Sequence, residues 1–341
     1  MTITSLDNFG HASGAISMSE LRTYYGRSGA VSLSGSLSGS SSSVPSSLPS
    51  SGSTISISNF RSKNRILKKK GSTETKASGS SWSPAQSGCV QYNVYVVGGG
   101  GSGGGHSTDS GREKVASGGG AGGTAFRRYS VQDHGVTSAS ISIGAGAAGI
   151  SYPASIGYVI SGRDGGSTTF NPNGSGLTIR AYSGKRGFGG RQTVSIAEAS
   201  TAISSSNWGE CAGGSGGGAV GGESNYSGGQ SVGFNIGGND EQARGGGSPN
   251  LGSGGKDGKL ANGANGATTD APTKPSEWGS NVSATFRGGY AACNNNGAAG
   301  ASQAGASYGA GSGGSAGESG AGSTGNGSSG AIFVTYYEIN T

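Results

Sequence analysis

The sequence predicts a mainly β fold in which strands frame glycine-rich helices of the polyproline-II type, preceded by a small arm with a short helix and by a Ser-rich linker. Three observations lead there. Glycine supplies 75 of 341 residues, where about 7% is usual. Only 31% of the chain is hydrophobic and 7% aromatic, so a core built from Leu, Ile, Val and Phe is small. No amphipathic helix longer than about two turns is visible after residue 90. That excludes α/β architectures, which place a helix of about 10–15 residues between strands.

Two kinds of chain have this composition. One is disordered, because it buries too little apolar surface to offset ordering entropy. The other is held mainly by backbone hydrogen bonds. The Gly-X-Y period of collagen is absent; glycines cluster instead, as at 98–101, 103–105 and 118–120. A polyproline-II helix has three residues per turn and no internal hydrogen bonds. Several side by side bond backbone to backbone, and need glycine wherever two axes approach closely. Such a bundle satisfies buried amides that are otherwise costly.

Residues 1–38 read as an N-terminal arm. Ala15–Gly26 begins extended and continues into one or two helical turns, with Ser17 or Ser19 as cap, Glu20 in the first turn and Gly26 as stop. The phrase restarts at Ala30 and at Thr54, each time alternating apolar residues with Ser, a period-two signal. A unit this short buries no apolar side alone, so it docks on a partner or pairs with copies of itself.

Residues 39–88 read as a linker, rich in Ser with Pro45 and Pro49. It contains Arg61–Lys70, six basic residues in ten. That run lacks interleaved aromatics and any nucleic-acid motif. It reads as a solvated charge run or a contact with an acidic neighbour. Net charge is +6, from 23 Lys and Arg against 17 Asp and Glu. Nine against three fall before residue 91, which leaves fourteen against fourteen behind it.

Residues 89–341 read as the head. Val90–Val97 is its clearest strand: Tyr92, Val94 and Val96 alternate with Asn93, Tyr95 and Val97, as in a strand covered on both faces. Further strands are expected at Phe126–Val131, Ser138–Ile143, Tyr158–Ile160, Leu177–Tyr182, Thr193–Ile196, Ser283–Arg287 and Ala331–Glu338. Pairing of the first strand with the last would close the head. Between them, phrases such as Gly213–Gly222 and Gly309–Gly317 hold only small side chains.

Chemistry is thinly represented. Cys89, Cys211 and Cys293 form no CxxC or Cys/His cluster, so no metal site and no complete disulfide framework is expected. They read as free, buried small hydrophobes. His11, His106 and His134 read as exposed in the arm and in polar loops. No phosphate-binding Gly-x-x-x-x-Gly-Lys motif occurs. Gly237–Asp240 and Gly254–Lys259 lack the nine-residue period of calcium-binding repeats. No catalytic residue, cofactor or enzymatic activity is expected. No stretch approaches the about 20 apolar residues of a membrane helix, and the first ten residues have no leader pattern. A soluble chain made in a cytoplasm is expected.

The remaining candidates are display residues. Trp208, Tyr226, Phe234, Trp278, Tyr290 and Tyr308 stand isolated among Gly, Ser and Asn, and Asn294, Asn295 and Asn296 add amide groups. Aromatic rings supply contact area and a stacking face. Alternatively, the rings plug the ends of the glycine bundle as a small core.

Val94–Gly105 resembles the opening of a glycine-rich domain of bacteriophage tail and tail-fibre proteins, where an apolar strand runs straight into a glycine tract. Gly118–Phe126, Ile141–Gly149, Gly165–Phe170 and the closing strand Gly330–Tyr337 are similar to further phrases of that family, in the same order. Ser13–Arg22 resembles phrases near the N-terminus of phage structural proteins. The resemblance implies a virion protein, an adhesin contacting a host-surface protein or glycan through loops. Trp208, Tyr226, Trp278, Tyr290 and Asn294–Asn296 are then the receptor-contact residues. Ile16, Met18, Leu21, Tyr24 and Tyr25 would anchor the arm to other virion proteins. The alternative is a non-adhesive connector, whisker or decoration protein. Neither nucleic-acid binding nor membrane insertion is implied, and both a trimer and closure within one chain stay open.

Overall fold

The computed structural model describes residues 67–108, 114–153, 158–174, 176–189, 210–211, 213–231, 234–235, 241–257, 260–262, 271–294, 301–318 and 321–340. The arm residues Ile16, Met18, Leu21, Tyr24 and Tyr25, the Thr193–Ile196 strand, Trp208, Asn295 and Asn296 lie outside these. The chain runs through β1 (Leu67–Lys76), β2 (Ser81–Trp82), β3 (Gln91–Val97), β4 (Gly105–Thr108), β5 (Lys114–Ala116) and β6 (Thr124–Ser130). One helical turn, α1 (Val131–His134), precedes β7 (Ala139–Ser142), β8 (Ser151–Tyr152), β9 (Tyr158–Ile160), β10 (Thr168–Pro172) and β11 (Ile179–Ala181). Short strands follow: β12 (Glu210–Cys211), β13 (Ala219–Val220), β14 (Ser224–Tyr226), β15 (Phe234–Asn235), β16 (Glu241–Arg244) and β17 (Leu260–Asn262). A 3-10 segment at Ser276–Asn281 leads to β18 (Ala292–Asn294), β19 (Ser315–Glu318), β20 (Gly322–Ser323) and β21 (Ala331–Ile339).

Two five-stranded sheets, ordered β1-β21-β3-β6-β14 and β13-β11-β10-β7-β2, pack face to face. Alternation decides what lies between them. Tyr92, Val94 and Val96 of β3 and Ile332, Val334 and Tyr336 of β21 meet Ile141, Phe170 and Ile179 of the second sheet. Trp82 joins them, with its ring 5.3 Å from those of both Tyr92 and Phe170. Each such aliphatic or aromatic side chain contributes about 1.5–3 kcal/mol on burial. The first and last head strands pair as expected, antiparallel, with Ala331 opposite Val97 and Tyr337 opposite Gln91.

The other face of the first sheet is covered too. Trp278, Val282 and Phe286 cover Val97, Ala331 and Phe333, with Tyr95 and Tyr308 at the margin. This corrects the strand expected at Ser283–Arg287. Burial does alternate there, since Val282 and Phe286 are buried and Ser283 and Thr285 exposed. The alternation comes from draping over a sheet face; the segment joins no ladder.

The linker boundary is also corrected. β1 pairs with β21 from Leu67 opposite Ile339 to Lys76 opposite Ile332, and Trp82 is core, so residues 67–88 belong to the head. The basic run masked this. A charged edge strand is ordinary, because Lys there discourages edge-to-edge pairing. Lys68 and Lys70 contact Glu338 at 3.3 and 2.8 Å, and Lys69 Nζ donates to the carbonyl of Glu277. For Lys68 and Lys70, the described end of the run, the acidic neighbour is Glu338 of the same chain.

Beyond the sandwich, strands continue into glycine tracts, and the hydrogen bonds there recur every three residues. Along 98–104, Gly98, Gly101 and Gly104 donate to Gly123, Gly120 and Ser117. Gly99 and Ser102 donate to Gly166 and Arg163, on a second neighbour. Gly100 donates to Ser328, and Gly103 donates to Ser312 Oγ. Each tract therefore presents three edges to different neighbours, as a three-residue turn requires. The 117–123 tract repeats the pattern: Ser117, Gly120 and Gly123 donate to Phe188, Lys185 and Tyr182, while Gly119 and Gly122 donate to Ser312 and Gly309. The axes are too close for side chains. A Cβ on Gly100 would stand 2.0 Å from the carbonyl oxygen of Ala310, and one on Gly101 2.1 Å from that of Lys185.

Candidate functional site

The molecule has two unlike ends. Leu67 lies opposite Ile339, at the end of the sheet away from the tracts, so the chain enters the sheet there. At the far end the tracts pass into short strands. β4 runs parallel to β19, with Gly105 opposite Ser315, and antiparallel to β9, with Gly105 opposite Ile160. β5 runs parallel to β16, with Lys114 opposite Glu241. Parallel pairs arise because neighbouring tracts deliver their strands in the same direction. Among the described residues, Ala116, Ala243, Ala291 and Ala316 form the buried apolar cluster here. The connections at 109–113, 154–157, 236–240, 295–300 and 319–320 join these strands and lie outside the described residues.

His106 corrects an expectation. It was expected in an exposed loop, but it is fully buried on β4. Its Nδ1 accepts the Val115 N–H at 3.1 Å, tying β4 to β5. The tract before it delivers it into the bundle rather than into a loop. His134 lies half-buried on α1, where Nδ1 accepts the Ser130 N–H at 3.0 Å, and its ring meets Tyr129 edge-on. Neither stands in an exposed polar loop.

The expected contact residues that are described, Tyr226, Trp278, Tyr290 and Asn294, are not brought together. Trp278 is fully buried and stacks on Phe333 with centroids 4.3 Å apart. It is a core plug, which removes it as a contact residue. Its ring is drawn in because Tyr95 and Phe333 leave the sheet face open to a large apolar cover. Tyr226 lies opposite Thr124, where sandwich meets bundle. Tyr290 lies half-buried on the bundle's flank, with the Arg287 guanidinium 4.3 Å from its ring centroid and donating to its hydroxyl. Asn294 lies on β18 opposite Gly317, at the far end. Phe234 lies on β15 opposite Cys211, and Tyr308 packs edge-on against Phe333.

Glu277 emerges from the structure alone. Its Oε2 accepts from Asn93 Nδ2 at 2.7 Å and from the Tyr337 hydroxyl at 2.5 Å, pinning the Trp278 cover to the sheet. The signal in the sequence is Asn93, an amide in an otherwise apolar strand, which demands a buried partner.

Charge is sparse along the bundle. Burial works to raise the Asp164 pKa, yet the Arg186 N–H and the Lys185 ammonium, at 2.9 and 3.0 Å, leave it below the ordinary carboxylate value. A hydrogen bond from Lys70 lowers that of Glu338. Burial raises the Cys89 thiol, which is free and buried as expected. Burial also pushes up Tyr92, Tyr95, Tyr129, Tyr336 and Tyr337. Among the described residues no three His, Cys, Asp or Glu gather, and no helix is long and apolar enough to cross a membrane. What the described arrangement offers chemically is a stiff backbone lattice with strand ends presented at one pole.

Residues 73–337 match the model of a family described as a glycine-rich domain. That span starts within β1 and ends within β21, so it takes in both the sandwich and the glycine bundle. The comparison with curated proteins returns no match.

Proposed function

Because the chain belongs to the glycine-rich domain family, we propose that it serves as the binding head of a bacteriophage virion protein, associated with the tail or tail fibre. The arm attaches it to other virion proteins, and connections at the far end of the bundle contact a protein or glycan on the host surface. The observation that carries this reading is polarity. Leu67, the described residue that follows the linker, meets Ile339 at the sandwich end, while β4, β9, β18 and β19 have their ends at the other. A lattice bonded in three directions between the poles fixes the strand ends from which the far-end connections leave, and fixed attachment points lower the ordering cost of binding. The phage assignment draws on the resemblance of the strand-and-tract phrases.

A test replaces residues 295–300, which follow β18, with a Gly/Ser segment of equal length. Loss of host-cell binding by the purified chain, with an unchanged melting profile, is expected. Unaltered binding and host range would remove the adhesin reading. The burial of Trp278 favours a second reading, a non-adhesive connector, because it takes one aromatic away from display. That reading requires an intact chain that binds no host cell and remains essential for particle assembly.

A further inference from the structure

A cleft of about 590 Å3 opens at the shoulder of the molecule, where the Trp278 cover meets the first turns of the glycine bundle. Its size falls within the about 300–1,000 Å3 of small-molecule sites. Val282, Ala284 and the half-buried Tyr308 ring form its apolar part. Around them stand Thr75, Asn281, Ser283, Ser307, Ser328 and Ser329. Among the described residues that line it there is no Asp, Glu, Lys, Arg or His.

The polar groups divide into two sets. Ser307 Oγ accepts from the Thr285 N–H at 3.2 Å, and Ser328 Oγ donates to the Gly305 carbonyl at 2.6 Å, so both are fixed by the frame. Thr75, Asn281 and Ser283 make no side-chain hydrogen bond to another described residue and are exposed. The walls also carry strain. Phe286 and Ser307 are the non-glycine residues with left-handed backbone among the described residues, at φ 48° and 62°. Ser307 lines the cleft, and Phe286 anchors the segment that forms the opposite wall. Backbone strain of this kind collects at binding sites.

We propose that this shoulder cleft binds a neutral glycan segment. An aromatic ring beside small apolar groups suits the C–H face of a sugar. Hydroxyls and one amide suit its hydroxyls, since each both donates and accepts. The absence of charge in the lining disfavours acidic sugars, phosphates and charged peptides. The inference does not rest on the far-end adhesin reading, because the cleft lies at the sandwich end of the bundle.

The test is saturation-transfer NMR and calorimetric titration of the full chain. The probes are neutral oligosaccharides of hexoses and N-acetylhexosamines, with uronic-acid and sialylated oligosaccharides alongside. Neutral probes should bind with Kd between about 1 μM and 1 mM. Ser283→Trp fills the cleft from an exposed position and should remove binding. Asn281→Ala, also at an exposed position, should weaken it about two- to tenfold, the worth of one hydrogen bond. The 295–300 replacement should leave it unchanged, which separates this site from the far end. No neutral binding up to about 10 mM, binding of the acidic probes alone, or full binding by Ser283→Trp would each overturn the proposal. Should Ser283→Trp fail to fold, Asn281→Ala and the probe panel decide the matter.

Discussion

The sandwich and the glycine bundle solve the same problem with opposite materials. In the sandwich, backbone groups pair within sheets and the space between sheets is filled by side chains such as Trp82, Phe170 and Tyr129. In the bundle, carbonyls and amides of different tracts meet directly, and most of what would be side chain is absent. A side-chain core tolerates loss of volume in steps, because neighbours relax in part. A backbone core tolerates no gain, because the atoms a new methyl would strike are held by hydrogen bonds on several sides. A low hydrophobic content thus marks a change of material and no lack of core.

The sharpest way to break this comparison is one added methyl in the bundle. Gly100→Ala places a Cβ 2.0 Å from the Ala310 oxygen. It should cost more than about 3 kcal/mol, the upper end of ordinary overpacking, measured by denaturant unfolding. Gly218→Ala, where a Cβ meets nothing within 4 Å, serves as the internal control and should stay within about 0.5 kcal/mol. Equal tolerance at both positions would mean that the tracts are not close-packed.

Alkali should strike the other region. Tyr92, Tyr95, Tyr129, Tyr336 and Tyr337 all have folded pKa values above their ordinary one, chiefly through burial. The fold therefore holds protons that the unfolded chain releases near pH 10. Their contribution is complete below about pH 10 and is lost as pH rises beyond it toward the folded values. Melting temperature should fall above that point, and the tyrosinate signal of these five rings should appear only with unfolding. Native-state ionisation of these rings near pH 10 would contradict their burial.

Smaller effects sharpen the contrast. Ser312→Ala removes the acceptor of the buried Gly103 N–H and should cost about 1–3 kcal/mol, the desolvation of an unmade bond. Ile332→Val in the sandwich core removes one methylene and should cost about 0.5–1.5 kcal/mol. If urea unfolding ranks the isoleucine above the serine, the backbone lattice is not the more exacting of the two cores.

Much of the frame was legible in the chain. β3, β9 and β21 follow the expected bounds within a residue or two, because Val, Ile and Tyr cluster there between glycines. The tracts were legible as close-packed helices because only tiny side chains separate their glycines. Which tract bonds which was not legible, since tiny side chains carry no pairing code. β1 was hidden by its lysines, whose partner Glu338 lies at the other end of the chain. Trp278 read as a display residue because its neighbours in sequence are polar; the faces that bury it, Tyr95 and Phe333, are distant in sequence. The shoulder cleft combines β1, the cover and two tracts, so no local motif announces it.

The threefold bonding of the tracts has a consequence for how such a gene can change. Deleting Gly99 from the 98–104 tract would rotate every later amide by about a third of a turn, so Gly101 would face Ser328, the neighbour meant for Gly100. Three deleted residues restore every direction and shorten the tract by one turn. Mutational history in the tracts should therefore be written in steps of three amino acids, while the connections at the far end are free to vary by one.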